Sequence, residues 1–339
     1  MCMGIENKKT KEKRMQAALI FNPTSGISTV TEKRMSPEET ERTILEGLRA
    51  CGIEPELLYT TLEDAGYGLA KRAAAAGTEL IIAAGGDGTV HAVANGLIGT
   101  QSVLGIIPAG TMNNLAHSLN IPDTIPAACI AIAHGETRNV DVGQINDQVF
   151  IEVAGIGLEA ALFPAAEEIK QYGLLSTIHG VLSGLKTLLS FKPARLRITF
   201  DGGQRRPYNA LQVTICNAPF YGVHFQMASE IVMDDGLLDV FIYRDFSKRE
   251  YLRHAMSISQ GRRPYQPKIK RLRVQSLRVT ADAPMEIQVD GQPLGYTPAQ
   301  VKVLQGALRI RVSGKDAPGL HEGAVEGEAN QAIKSKTSA

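Results

Sequence analysis

The sequence is poor in several things that would narrow its function quickly. Its 339 residues hold only four cysteines, at positions 2, 51, 129 and 216, too scattered for a disulfide framework or a metal-ligand pair. That spacing suits a reducing cytosol. There is no helix pattern of paired histidines and no Cys/His cluster, so zinc chemistry is unsupported. Charge of one sign is missing as well. Lys and Arg number 36 against 35 Asp and Glu, a net charge of +1, which gives no global pull toward nucleic acid. No apolar run approaches the ~18 residues of a membrane span, and the polar, lysine-rich first 14 residues lack the apolar core of a signal peptide. Residues 1–15 read as a flexible basic tail, and 313–339, rich in Gly, Ala, Glu and Lys, as a disordered one.

Familiar phosphate-binding signatures are absent too. No stretch supplies Gly-x4-Gly-Lys-Ser/Thr, and the first strand leads into Asn-Pro-Thr-Ser-Gly with no Gly-x-Gly-x-x-Gly. A Gly-x-Ser-x-Gly elbow is also missing. What the chain does have is 44% hydrophobic residues, enough for sizeable cores, and a length that suggests two domains.

The chain is organised around residues 83–89, Ala-Ala-Gly-Gly-Asp-Gly-Thr. A short apolar stretch, 80–82, precedes them, and Val90, Val93 and Leu97 recur at helical spacing after them. A strand, a glycine turn and a helix N-terminus make an anion site, because unpaired N–H groups and the helix dipole converge there. Asp87 is the odd member, since a carboxylate beside phosphates repels them unless a cation or a hydroxyl lies between. An ordinary turn with an Asp cap is the plainer reading.

Strands are expected at 17–21, 57–61, 80–82, 103–107 and 137–142, alternating with helices at 37–50, 64–76, from 89, and 127–134. Ser36-Pro37-Glu38-Glu39 is a clean helix start. This alternation predicts an α/β, doubly wound parallel sheet over 16–143. It brings three polar loops, 22–26, 85–89 and 108–114, to one edge of that sheet, where open α/β sheets bind ligands. After 144 strands dominate, at 148–154, 195–200, 211–217, 238–243, 272–280, 285–289 and 307–312, with Asp-Gly turns between them. A mainly antiparallel β second domain over 144–312 is expected, its last strands free to return to the first domain. The apolar stretch 174–191 reads as a helix on its own domain, or as one that lines a lipid pocket or lies on a membrane.

Taken in order, Asn22-Pro23-Thr24-Ser25-Gly26, Gly85-Gly86-Asp87-Gly88-Thr89 leading to Asn95-Gly96-Leu97, and Ile107-Pro108-Ala109-Gly110-Thr111-Met112-Asn113-Asn114 resemble the motifs of the diacylglycerol kinase catalytic-domain family. That family includes bacterial lipid kinases and sphingosine and ceramide kinases. Residues 234–240 and 289–294 resemble its second-domain motifs, so the resemblance spans roughly residues 16–312. It implies a first domain of the NAD kinase and phosphofructokinase kind. It also implies ATP in the interdomain cleft, its phosphates on residues 22–26 and on Gly85, Gly86, Asp87, Gly88 and Thr89, with Val90, His91 and Ala92 following. Thr61 and Thr111 resemble further nucleotide contacts. A Mg²⁺ ion is implied at the Asp235 carboxylate and the carbonyls of Val232 and Leu237, where a plain Asp-Gly hairpin is the alternative.

The implied partners are a lipid substrate, diacylglycerol-like or sphingoid, and the inner face of a membrane touched peripherally by a cytoplasmic protein. A homodimer is left open. Two departures from the family pattern stand out. Ala92 replaces a common Glu, and Gln292 replaces the glutamate assigned as proton acceptor, although an amide takes no proton at neutral pH. Asp290 is the expected substitute base, with Asp87 as the other candidate. A nucleotide- or lipid-binding protein without kinase activity, and an NAD kinase-like enzyme, are the competing readings.

Overall fold

The computed structural model describes residues 16–25, 35–162, 183–184, 186–221, 225–228, 230–258 and 268–314. Residues 1–15 and 315–339, Gly26 and most of the apolar stretch 174–191 lie outside them.

In the first half, β1 (Ala17–Phe21), β2 (Glu56–Tyr59), β3 (Leu80–Gly85) and β4 (Val103–Pro108) form a parallel sheet in the order β2-β1-β3-β4. Both faces are covered. Leu19, Phe21, Leu80 and Ile82 face α1 (Pro37–Ala50) and α5 (Ile125–His134), where Ile44, Leu48, Ala128 and Ile132 meet them. The alternate residues Ile20, Ile81 and Ala83 face α2 (Tyr67–Ala75) and α3 (Asp87–Leu97) through Ala70, Val93 and Leu97. Burial on both sides is why these strands read as unbroken apolar runs. A short α4 (Asn114–Ser118) follows β4.

Ser36 and Glu39 form the expected capping box at α1, with Pro37 in its first turn. The second helix starts later than the expected residue 64. Asp64 stays outside it, and its carboxylate accepts the N–H groups of Gly66 and Gly68, each at 3.0 Å.

The second half is mainly antiparallel. Its strands are β5 (Glu136–Ile145), β6 (Gln148–Phe150), β7 (Val153–Gly157), β8 (Ala194–Phe200), β9 (Arg206–Cys216), β10 (Phe220–Tyr221), β11 (Phe225–Gln226), β12 (Leu238–Arg244), β13 (Ile269–Val274), β14 (Ser276–Ala281), β15 (Glu286–Val289), β16 (Gln292–Tyr296) and β17 (Ala299–Val312). A helix, α6 (Lys248–Ile258), lies between β12 and β13. Its core gathers Ile156, Leu196, Ile198, Val213, Ile215, Val240, Val279 and Ile287. The two halves share strands. The long β17 is antiparallel to β5 along 301–312 and parallel to β4 at Arg309 and Ile310, so the last strand does return to the first sheet.

Two expected strands are broken. Residues 148–154 divide into β6 and β7 because the N–H groups of Ile151, Glu152 and Val153 leave the ladder for the Asp290 carboxylate. Residues 272–280 divide at Gln275, where Asp201 accepts the N–H groups of Gln275 and Ser276 at 2.9 and 2.8 Å. The chain there changes partners, from β12 to β8 and β17. In both cases a carboxylate offers the backbone a better acceptor than the neighbouring strand.

Candidate active site

The three loops meet at the carboxyl edge of the parallel sheet, and they are tied to one another. Asn22 donates from its backbone N–H to Ala84 O at 3.0 Å, and from its side-chain amide to Thr89 Oγ1 at 2.9 Å. Its Oδ1 accepts the Thr24 N–H and hydroxyl, closing an Asx turn around Pro23. Ser25 Oγ accepts the Gly86 N–H at 3.3 Å.

Gly86 is the N-cap of α3, and no side chain caps it, so first-turn N–H groups open onto the loop cluster. Gly85 lies so close to Thr89 that a Cβ there would come within 2.7 Å of it. Gly88 is exposed, and a Cβ on it would meet nothing within 4 Å.

The third loop closes against the second. A Cβ on Gly110 would sit 2.5 Å from Gly86 Cα, so only glycine permits this approach. Asn113 adopts a left-handed φ of 48° and braces Gly110 with both ends of its amide, at 2.9 and 3.0 Å. Asp87 then bridges the loops. Its carboxylate accepts the Asn113 N–H at 3.0 Å and the Asn114 N–H at 2.7 Å. The sequence pairs this carboxylate with a cation or a hydroxyl; the fold gives it two amide protons. Thr111 is exposed at the tip, Val90 is buried in the core, and Ala92 is half-buried on α3. Thr61 lies two residues past β2, its hydroxyl oxygen accepting the Glu63 and Asp64 N–H groups.

These loops, 22–25, 85–89 and 109–114, contain no lysine or arginine. Backbone N–H groups and hydroxyls are what they offer an anion, which fits the phosphates of a nucleotide.

The opposite wall comes from the second half. Asp290 has a left-handed φ of 42° and accepts three N–H groups, Ile151 at 2.7 Å and Glu152 and Val153 each at 2.9 Å. Gln292, two residues on, is exposed on β16. Between the walls lies a pair that the sequence does not announce. His91 Nε2 on α3 is 2.8 Å from Glu152 Oε1, and both side chains are nearly buried. Burial works against a charge on His91, yet Glu152, with Asp290 and Asp87 behind it, carries its pKa up to about 9. Burial also raises the Glu152 pKa, and the imidazole only partly offsets this.

Glu152 is the residue that sequence reasoning passes over. The available signal is a carboxylate in the otherwise apolar run Val149-Phe150-Ile151-Glu152-Val153-Ala154.

In the 232–237 loop, the implied metal site, the Asp235 side chain already has partners. Asp235 Oδ1 accepts the Leu237 N–H at 3.0 Å, and Oδ2 pairs with Arg273. Val232 is exposed. Gly236 N–H is fixed by the buried Asp141, and Asp234 pairs with Arg138 at 2.6 Å. A guanidinium therefore already pairs with the carboxylate that would carry the ion's charge. Among the described residues no cluster of three His, Cys, Asp or Glu side chains could hold a metal.

Two family models match successive parts of the chain. Residues 16–145 match the diacylglycerol kinase catalytic domain, and residues 153–312 a C-terminal domain described as NAD kinase beta sandwich-like. The Bacillus subtilis diacylglycerol kinase is 30% identical over 290 residues, 84% of this chain and 92% of the relative. The Staphylococcus epidermidis diacylglycerol kinase is 29% identical over 302 residues, 88% of this chain and 92% of the relative. A crystal structure of a Bacillus anthracis protein assigned as a diacylglycerol kinase superposes with a TM-score of 0.72 at 27% identity, covering 88% of this chain and 98% of that one.

Proposed function

The chain belongs to the diacylglycerol kinase family, and we propose that it transfers the γ-phosphoryl group of ATP to the hydroxyl of a diacylglycerol-like or sphingoid lipid. The observation that carries this reading is the joining of three cation-free loops, the first to the second by Asn22 and Ser25 and the second to the third by Asp87, with Asp87 and Asp290 both close to His91. The α3 N-terminus and the Asn22, Thr24 and Ser25 groups receive the phosphates. Gly86, Gly88 and Gly110 let the backbone come close, and Thr61 and Thr111 flank the nucleotide. Gln292, exposed beside the Asp290 turn, contacts the acceptor lipid without taking its proton.

Mg²⁺ enters with the nucleotide, since ATP is used as its magnesium complex, and not at residues 232–237, where Arg273 already neutralises Asp235. The acceptor lipid is held by the second half and taken from a membrane surface by peripheral contact at its cytoplasmic face. Among the described residues no helix is long and apolar enough to cross a membrane, in keeping with that arrangement.

The test is transfer of label from γ-labelled ATP into a mixed lipid extract, with Mg²⁺ and with EDTA. A labelled lipid that EDTA abolishes is the expected product. Binding of ATP without any labelled lipid would favour the non-catalytic reading.

A further inference from the structure

We propose that Glu152 is the proton acceptor in this transfer and that His91 is the positioning residue that holds its carboxylate in place. The inference rests on the lipid-kinase reading and gives the cleft the base that Gln292 cannot supply.

The other carboxylates in the cleft are already engaged. Asp290 spends about three of the roughly four lone-pair sites of a carboxylate on backbone N–H groups. Asp87 uses both of its oxygens on the Asn113 and Asn114 N–H groups. Protonating either would leave amide protons facing a donor. Gln292 has an amide and stands exposed on an edge strand. Glu152 differs from all three. Among the described residues its carboxylate partner is the His91 ring, and no backbone N–H is turned on it.

Its position is fixed from every side. The Glu152 N–H is held by Asp290, and its carbonyl accepts the N–H groups of Asn217 and Ala218 at 2.9 and 3.1 Å. The side-chain amide of Asn217 donates to Ile151 O at 2.8 Å, bracing the preceding peptide. His91 reaches it from α3, one turn beyond the glycine loop. The carboxylate therefore stands between the helix that opens at the phosphate loop and the turn that precedes Gln292.

Burial makes it a stronger base than a solvated glutamate, which matches proton transfer from a hydroxyl near neutral pH. Two further charged groups face the pair, Asp87 from α3 and Asp290 from the β15–β16 turn, and each partner faces the other. Both aspartates favour the proton on Glu152, and the imidazolium opposes it.

In the step itself, the lipid hydroxyl oxygen forms a bond to the γ-phosphorus of the nucleoside triphosphate. The bond from that phosphorus to the β,γ-bridging oxygen breaks, and its electron pair leaves with the nucleoside diphosphate. The hydroxyl proton passes to a Glu152 carboxylate oxygen and is released to solvent after the product departs.

The experiment compares wild type, Glu152→Gln and His91→Asn in the γ-labelled ATP assay with diacylglycerol in mixed micelles, across pH 5 to 9. Glu152→Gln is expected to lower kcat by about 10²–10⁴-fold while both KM values stay within about 3-fold. It should also lose the acid limb of the wild-type kcat–pH profile. His91→Asn should keep the limb but move it to higher pH, because the cation that eases Glu152 ionisation is gone. ¹⁵N NMR titration of the His91 ring checks the pair without activity. Its pKa should fall by more than one unit in Glu152→Gln. Full wild-type kcat in a folded Glu152→Gln, with the acid limb unmoved, would overturn the proposal while leaving the kinase reading intact. Absence of transfer by wild type to any lipid would overturn both.

Discussion

Asp290 and Val153 exchange a pair of hydrogen bonds: the Asp290 N–H donates to Val153 O at 2.9 Å, and the Val153 N–H donates to Asp290 Oδ1 at 2.9 Å. The same carboxylate takes the next two amides up the chain, and this is what ends β6 and begins β7. A residue singled out by sequence as a base is thus also the brace that holds the peptide of Glu152.

Asp290→Asn turns an amide NH₂ toward a backbone N–H and leaves one buried donor unpaired, at a cost of about 2–3 kcal/mol. We expect the thermal midpoint to fall by roughly 4–10 °C along with activity. Differential scanning calorimetry of the variant checks this. An unchanged midpoint with lost activity would return Asp290 to a purely chemical role.

Asp87 links the second and third loops through the Asn113 and Asn114 amides. Asp87→Ala removes two charge-assisted bonds and lets Gly86 and Gly110 separate. A loss of about 10²-fold or more in kcat/KM for ATP is expected, equivalent to roughly 3 kcal/mol. Initial-rate kinetics over a range of ATP concentrations reads it directly. Wild-type turnover would remove Asp87 from the site.

The His91–Glu152 pair sets a pH dependence of stability. The folded-state pKa of His91, about 9, lies above its ordinary value of 6.5, so its contribution is complete below pH 6.5 and is lost as pH rises through 9. Glu152 is also raised, and so acts in the same direction. Wild type should therefore lose thermal stability between pH 6.5 and 9.5 more steeply than His91→Asn. Melting curves across that range decide it, and parallel slopes would show that the pair carries no linkage.

Arg273 on Asp235 predicts a fold indifferent to divalent metal. The melting temperature in EDTA should match that in millimolar Mg²⁺ to within about 2 °C, less than a 1 kcal/mol change produces in a domain of this size. Transfer in the same EDTA buffer should vanish. A rise of 5 °C or more with Mg²⁺ would mean that the ion displaces the guanidinium.

Much of the first half is legible in sequence because its signals are local. The apolar runs of β1, β3 and β4 face helices on both sides, and Ser36, Pro37 and Glu39 mark the start of α1 within four residues. The glycines at 85, 86 and 110 announce close backbone approach, although which loops approach which does not follow from the motifs. The second half is less legible because its decisive contacts are remote. The break between β6 and β7 is made by a carboxylate 139 residues downstream of Ile151, and that at Gln275 by one 74 residues upstream. Local propensity sees only continuous strands there. Glu152 is overlooked for the same reason, since its partner His91 lies 61 residues before it on another element.

The most direct measurement is initial-rate transfer from γ-labelled ATP to purified diacylglycerol, sphingosine and NAD, each offered separately with Mg²⁺. The account predicts label in one of the two lipids and none in NAD. Label in NAD alone, or ATP bound with no acceptor labelled, would contradict it.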